Sequence, residues 1–532
     1  MMKIIRNAKI YTADTNQQMA TAMVIKGGKI LWIGQEENLP AYQGDIIDGQ
    51  GKVIIPGIID AHMHPIMLAD VLEQVACLPP HIHSIEDMLV ALEQYDASQR
   101  GWILGWGYDE GKLNERRAPL KEDLDRASMA LPIIVMRTCG HIISVNSKAL
   151  AIAGITKDTP DPQGGQIDRD ENGDPTGVLR ENARNLVLQH LPTLSEDEIV
   201  TRLLKLSQNL ASYGVTSITE LMATVMPIDY LTLYRKAREK GFKQRVATYY
   251  IWEAVQNYEL LTADNLDRSA GAYIGGIKLF SDGSVSGRTA LVSEPFLGGE
   301  ERGIAMTSKE ELLAAAAVAK EHGIQLVVHA MGDRAIDLIV DTFYEETAWL
   351  NDAPSVRIEH AAMPTVSALQ KAAKWGIGFV PQPIFLFCEI ESYLENLGLE
   401  KTQTLYGVQT FLQRGIATAL SSDAPATSWA EAANPFVTMQ AAVTRMAYDG
   451  TDLGAAERIS VEEALQLYTA DAKTMIRMEN VGQLKEGYEA NFIVLTDDIL
   501  SISHDQLMHV KPFATYIEGE CVFGQSTMQA TH

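Results

Sequence analysis

From residue 53 onward the chain alternates short apolar runs with longer stretches whose apolar residues recur every three or four positions. The apolar runs fall at 53–61, 214–220, 245–251, 273–280, 324–329, 356–360, 377–381 and 416–423. Runs of this length, separated by helix-length segments, predict parallel strands joined by helices. Eight of them predict an α/β fold, a (β/α)8 barrel of the TIM type, over residues 56–483. Helix starts punctuate the longer stretches: Ser195 with Glu198, Ser308 with Glu311 and Ser460 with Glu463 are spaced as capping boxes. Residues 311–323 then read as a strong helix former ending at a glycine.

The two ends of the chain have a different pattern. Residues 3–11, 20–34, 491–496 and 513–523 read as short strands, with Gly27-Gly28 as a hairpin turn. An isolated hairpin is marginal in water, so residues 1–55 and 484–532 are expected to pair into one composite β-sandwich domain. Residues 66–213 are too long for a single helix and its loops. They predict an inserted subdomain after the first barrel strand, at the end of a barrel where active sites lie. Trp102, Trp106 and Tyr108 in that insertion suit either a substrate-contacting cap or the insertion's own core, the latter being the simpler reading for each alone.

Composition narrows the function. A chain of 532 residues that is 46% hydrophobic buries a large core, and its net charge of −25 disfavours nucleic acid and anionic membranes as partners. Cys77, Cys139, Cys388 and Cys521 form no C-x-x-C pair and read as reduced thiols. The N-terminus lacks an uninterrupted apolar signal region and no run of about 20 apolar residues follows, which points to a cytoplasmic protein.

Candidate chemistry collects at the ends of the predicted strands. His62 and His64 close the first run one residue apart, so in an extended strand both imidazoles point to one side. Such a pair alone is weak evidence for a metal. Lys278 closes the fourth run, His329 the fifth, His360 the sixth and Asp423 the eighth. Each has a plain alternative: a surface lysine, a core histidine satisfied by backbone, an aspartate capping a turn. Barrel geometry nevertheless brings all six to one mouth, where they suit one or two divalent ions, Zn²⁺ foremost. A neutral Lys278 amine reacting with carbon dioxide would give a carboxylated lysine bridging two ions. His62 and His64 would then serve one ion, and His329 and His360 the other. Asp423 would touch metal and carry the proton as activated water attacks.

These residues sit in a longer pattern. It runs through P-G-I-I-D-A-H-M-H-P (56–65), G-W-G-Y-D-E (105–110), G-H-I-I-S-V-N-S-K-A-L (140–150), N-G-D-P-T-G-V-L-R-E (172–181), I-K-L-F-S-D-G-S-V-S-G-R-T-A (277–290), V-H-A-M-G-D-R-A (328–335), R-I-E-H-A (357–361) and S-S-D-A-P (421–425). Over most of its length the chain resembles the amidohydrolase superfamily, specifically the YtcJ-like branch of the amidohydrolase 3 family. The resemblance implies a β/α barrel with a composite β-sandwich and metal-dependent hydrolysis of a non-peptide carbon–nitrogen bond, of amide, N-acyl or N-formyl type, in a small molecule. Where related sequences commonly read D-G-H, this chain has Cys139-Gly140-His141.

Four further residues are candidate substrate contacts. His141 suits a substrate carbonyl or a plain structural role. Asp282 suits a substrate amine or, more simply, the Asp-Gly turn; Arg288 suits a substrate carboxylate or an ion pair; Asp109 is the weakest. Two other functions fit the same frame: a deaminase of an amino-substituted heterocycle, which usually needs one ion and no bridging lysine, and a non-catalytic scaffold, which would normally have lost ligands. Barrel enzymes often dimerise, so a homodimer is among the expected assemblies.

Overall fold

The computed structural model describes residues 2–98, 100–138, 140–344 and 346–524, so Cys139 lies outside the described residues. The chain divides into two compact units, one of Met1–Pro65, Leu203–Ala424 and Ala432–His532, the other of Ile66–Arg202 and Pro425–Glu431.

The first unit contains a curled, seven-stranded parallel sheet: β1 (Ile58–Asp60), β2 (Val215–Ala223), β3 (Arg245–Ile251), β4 (Ala272–Phe280), β5 (Gln325–Ala330), β6 (Val356–His360) and β7 (Gly378–Val380). Each strand pairs with the next in sequence, and the register sets His329 beside Glu359 and Ala330 beside His360. Helices such as Lys309–His322 and Val366–Trp375 cover it, each stopped by a left-handed glycine, Gly323 and Gly376. Ser460 and Glu463 form a full capping box; Ser195 and Glu198 exchange the same two bonds; Ser308 caps Glu311 N while Glu311 bonds Thr307.

The first and eighth predicted strands differ from expectation. The run 53–61 is cut at Gly57: Val53–Pro56 joins another sheet and only Ile58–Asp60 joins the parallel one. His62 and His64 therefore lie just past the strand. At the eighth position, residues 416–423 form no regular strand, only a bridge from Thr418 to Phe379. The segment still meets the first strand's end, because Asp423 N donates to His62 O at 2.8 Å and His64 N to Ala424 O at 2.9 Å. Near the end of this segment Ser422 N donates to the Asp60 carboxylate at 3.2 Å instead of to a neighbouring strand, and Asp423 has φ 54°, outside the extended range.

Strands from both chain ends share a six-stranded sheet in the order Glu520–Gly524, Pro512–Ile517, Phe492–Leu495, Val53–Pro56, Lys9–Tyr11, Met19–Ala20. A four-stranded sheet of Met2–Arg6, Ala22–Lys26, Lys29–Gly34 and Asp45–Asp48 packs on it through a core containing Ile5, Met23, Ile54, Phe492 and Tyr516. Gly57 is the hinge between this layer and the parallel sheet, and a β-carbon there would lie 2.3 Å from Thr216 Oγ1. Gly57→Ala is therefore expected to lower stability by about 1–3 kcal/mol, the cost of overpacking a filled site. Thermal unfolding of the purified variant checks it; an unchanged midpoint would show that Thr216 gives way freely.

The second unit is built on a six-stranded sheet running from Val75–Ala76 through Ile103–Tyr108, Ile133–Arg137, Ile142–Val145 and Pro175–Glu181 to Gly165–Arg169. Trp102 and Tyr108 are buried in its own core clusters, so the simpler of their two readings is the observed one. The unit ends at Arg202, short of the expected 213; the helix Glu196–Ser212 leads from there into β2. Among the described residues Cys77 and Cys521 are free thiols, and no helix is long and apolar enough to cross a membrane.

Candidate metal centre

Four imidazoles stand in a row at the carboxyl edge of the parallel sheet. Ring centroids are 5.4 Å apart for His64 and His62, 5.0 Å for His62 and His360, and 4.4 Å for His360 and His329. Asp423 closes one end: its Oδ1 lies 3.2 Å from His62 Nε2 and 3.0 Å from His64 Nε2. Ligand atoms of His62, His64 and Asp423 all fall within 4.8 Å of one another. At the other end Lys278 Nζ lies 5.0 Å from the ring centre of Phe280, which tilts against His329 at 5.5 Å. Lys278 is buried, and its charge acts on all four histidines.

The donor set fits a divalent ion. Asp423 Oδ1 is buried within reach of two Nε2 atoms, yet among the described residues it has no aligned hydrogen-bond partner. Among the described residues His64 Nδ1 and His360 Nδ1 are also buried without a hydrogen-bond partner. Buried polar atoms are rarely left so, unless an ion or water completes them. Burial, reinforced by neighbouring positive charge, holds His64 below its ordinary pKa, His360 far below it and His329 at about 3, whereas the Asp423 and Glu359 carboxylates raise His62 against its own burial. Neutral imidazole is the form that ligates metal. Burial also lowers Lys278 to about 8. Asp423 stays ionised: burial raises its carboxyl, but His62 and His64 pull it well below the usual range.

Backbone geometry aims two of these groups. His360 has φ 70° and Asp423 φ 54°, left-handed values that non-glycine residues seldom adopt and that concentrate at functional sites.

Sequence reasoning missed the groups behind the histidines. Glu359 Oε2 lies 2.5 Å from His62 Nδ1, and Arg357 Nε donates to Glu359 Oε1 at 2.7 Å. Asp60 accepts the His62 amide at 3.2 Å, and Glu220 Oε1 lies 3.9 Å from His64 Nδ1. The signal was present in R-I-E-H: strand alternation puts Arg357 and Glu359 on one face of a strand buried on both faces.

The weaker candidates are placed differently. Asp282 is buried, and its carboxylate accepts the amides of Leu291, Met331 and Gly332 at 2.8, 3.0 and 2.8 Å, so it ties together two other segments rather than its own Asp-Gly pair. Burial pushes it up to about 7 against the pull of those amides. Its Oδ1 is also 3.6 Å from His329 Nε2, which contacts the Gly283 carbonyl at 3.0 Å. Arg288 Nε donates to Asn396 Oδ1 at 2.7 Å, with Glu395 at 3.9 Å. In the second unit, Asp109 caps the turn at Gly111, and His141 Nδ1 meets Glu181 Oε2 at 2.9 Å on an exposed surface.

A curled parallel sheet with imidazoles, a lysine and an aspartate gathered at its carboxyl edge is the framework of a metal-dependent hydrolase. Residues 45–523 match the amidohydrolase family profile, and the chain belongs to that family, as a hydrolase acting on carbon–nitrogen bonds. It is 30% identical to YtcJ of Bacillus subtilis (strain 168) over 99% of this chain and 100% of that protein. It is 28% identical to the N-substituted formamide deformylase of Arthrobacter pascens over 97% of each. The crystal structure of an uncharacterized metal-dependent hydrolase from Pyrococcus horikoshii OT3 superposes with a TM-score of 0.74 at 25% identity, covering 95% of this chain and 99% of that one.

Proposed function

We propose that this chain hydrolyses an amide-type bond, N-acyl or N-formyl, in a small molecule. In this reading His62, His64, Lys278, His329, His360 and Asp423 hold one or two divalent ions, zinc foremost. The observation that carries it is the convergence of His62, His64 and Asp423 on one buried point, with Asp423 Oδ1 lacking a hydrogen-bond partner among the described residues. A divalent ion bound there supplies a Lewis acid that activates water and polarises a carbonyl oxygen. The chain's own part is then acid–base work: Asp423, ionised and backed by two imidazoles, takes the proton from the attacking water and returns it to the leaving nitrogen.

Lys278 supports a binuclear version. A lysine held at about 8 by burial presents far more neutral amine near pH 7 than one in water, and only the neutral amine adds to carbon dioxide. The neutral amine would add to carbon dioxide, forming the N–C bond and releasing one N–H proton to solvent, and the resulting carbamate would serve as an anionic ligand for divalent ions. The relation to a formamide deformylase along almost the whole chain favours the amide reading over deamination. Among the four weaker substrate-contact candidates, Asp282 is committed to three amides and His141 to Glu181.

The test is a substrate panel of N-formyl, N-acyl, carbamate, cyclic amide and amino-heterocycle compounds, offered to zinc-reconstituted and chelator-treated protein. Turnover of an amide class that disappears with chelation is expected. Ammonia released from the heterocycles alone would replace the reading with deamination, and failure to take up metal would leave only a scaffold.

A further inference from the structure

The strand that carries His360 carries another functional group one residue earlier. Glu359 is fully buried and uses both oxygens: Oε2 on His62 Nδ1 at 2.5 Å, and Oε1 accepting Arg357 Nε at 2.7 Å. Arg357, equally buried, also donates through Nη2 to the carbonyl of Ala61 at 2.9 Å, the residue preceding His62. Its Nη1 donates to Tyr249 Oη at 3.3 Å, and that hydroxyl donates to Gln325 Oε1 at 2.9 Å. Gln325 Nε2 is anchored on the carbonyls of Pro354 and Met475 at 2.8 and 2.9 Å. A chain of buried polar groups therefore runs through the sheet's interior and ends on the His62 ring.

The chemistry of that end is specific. A neutral imidazole has one proton to place, and the other nitrogen then presents a lone pair. A carboxylate only accepts, so Glu359 against Nδ1 holds the proton there and, with a divalent ion bound between Nε2 and Asp423, would leave the Nε2 lone pair to the ion. A salt bridge that served stability alone would need no third partner, and buried pairs of that kind are often replaceable by apolar residues. Here the second oxygen is spent on a histidine ring, and the arginine grips the backbone next to the same histidine.

We propose that Glu359 is the positioning residue that fixes the tautomer and ring plane of His62, and that Arg357 holds Glu359 in place. The segment R-I-E-H then supplies His360 to one part of the cluster and the orienting carboxylate to another. The proposal rests on reading His62 as a metal ligand, not on the identity of the substrate.

The test uses the full chain loaded with zinc. Two quantities are read: zinc affinity by competition with a chromophoric chelator, and the His62 ring nitrogens by ¹⁵N NMR, assigned with His62→Asn. Wild type is expected to show the Nδ1–H tautomer. Glu359→Gln should bind zinc about 10–100-fold more weakly, the usual loss when an outer partner of a ligand is removed. Its Nδ1–H signal should shift as an amide replaces the carboxylate.

Because Glu359→Gln leaves the Arg357 charge buried and unpaired, Glu359→Gln/Arg357→Met is measured beside it. This double variant removes both charges and should show the same affinity loss with a near-normal unfolding midpoint. A Nε2–H tautomer in wild type, or zinc affinity within about twofold of wild type in the folded double variant, overturns the proposal. Neither readout needs a substrate, so a failed substrate panel with these results intact counts against the amide reading alone.

Discussion

Asp423→Asn is expected to lower turnover by roughly 10²–10⁴-fold while leaving the fold intact, the loss typical of removing a general acid–base group. The substitution is unusually clean at this position. Asp423 has φ 54°, and asparagine is among the few residues that adopt left-handed backbone readily, so the bond from its amide to the His62 carbonyl should persist. What changes is the side chain. An amide near neutral pH neither accepts a proton from water nor returns one to a leaving nitrogen. Replacing His62 or His64 by alanine should act through a different quantity, lowering bound metal because a ligand is lost. Turnover of metal-loaded Asp423→Asn compared with its metal content separates the two effects. Near-wild-type rates in a fully metallated variant would show that another group moves the proton, with His141 the next to examine.

The candidate ligands were legible because a barrel strand ends where its function begins. His329 and His360 each close an apolar run, and the structure sets them 4.4 Å apart on neighbouring strands. His62 and His64 lie just past the strand rather than in it. Their rings do converge on Asp423, but from a segment beyond the strand, where backbone bonds to residues 423 and 424 replace strand alternation. The eighth strand was overread for a related reason. Its apolar run suits a strand, yet the Asp60 carboxylate takes the Ser422 amide and Asp423 turns left-handed. Those are side-chain and tertiary effects that an apolar run does not record.

Glu359 and Arg357 were missed because a charged residue within a strand reads as solvent-facing until both faces of that strand are known to be covered. Asp282 shows the opposite case. The Asp-Gly pair suggested a local turn, whereas its carboxylate holds backbone from two other segments, one near residue 291 and one at 331–332.

Lys278→Met separates stability from function most sharply. The lysine is 1% exposed at the end of β4, with its amine over the Phe280 ring, so as a cation it carries a desolvation cost that nearby carboxylates only partly offset. Methionine has similar length and volume and makes favourable contacts with an aromatic ring. Unfolding stability should therefore fall by less than about 1.5 kcal/mol, or rise. Activity should move the other way. If the amine carries a carbamate that helps hold the ions, its removal should cost at least the roughly 10–100-fold that follows loss of even an outer partner, together with a lower metal-to-protein ratio. Protein reconstituted in ¹³C-labelled bicarbonate should show a carbamate carbon that is absent from Lys278→Met. A variant with wild-type turnover and metal content would remove Lys278 from the metal centre and leave a mononuclear site on His62, His64 and Asp423.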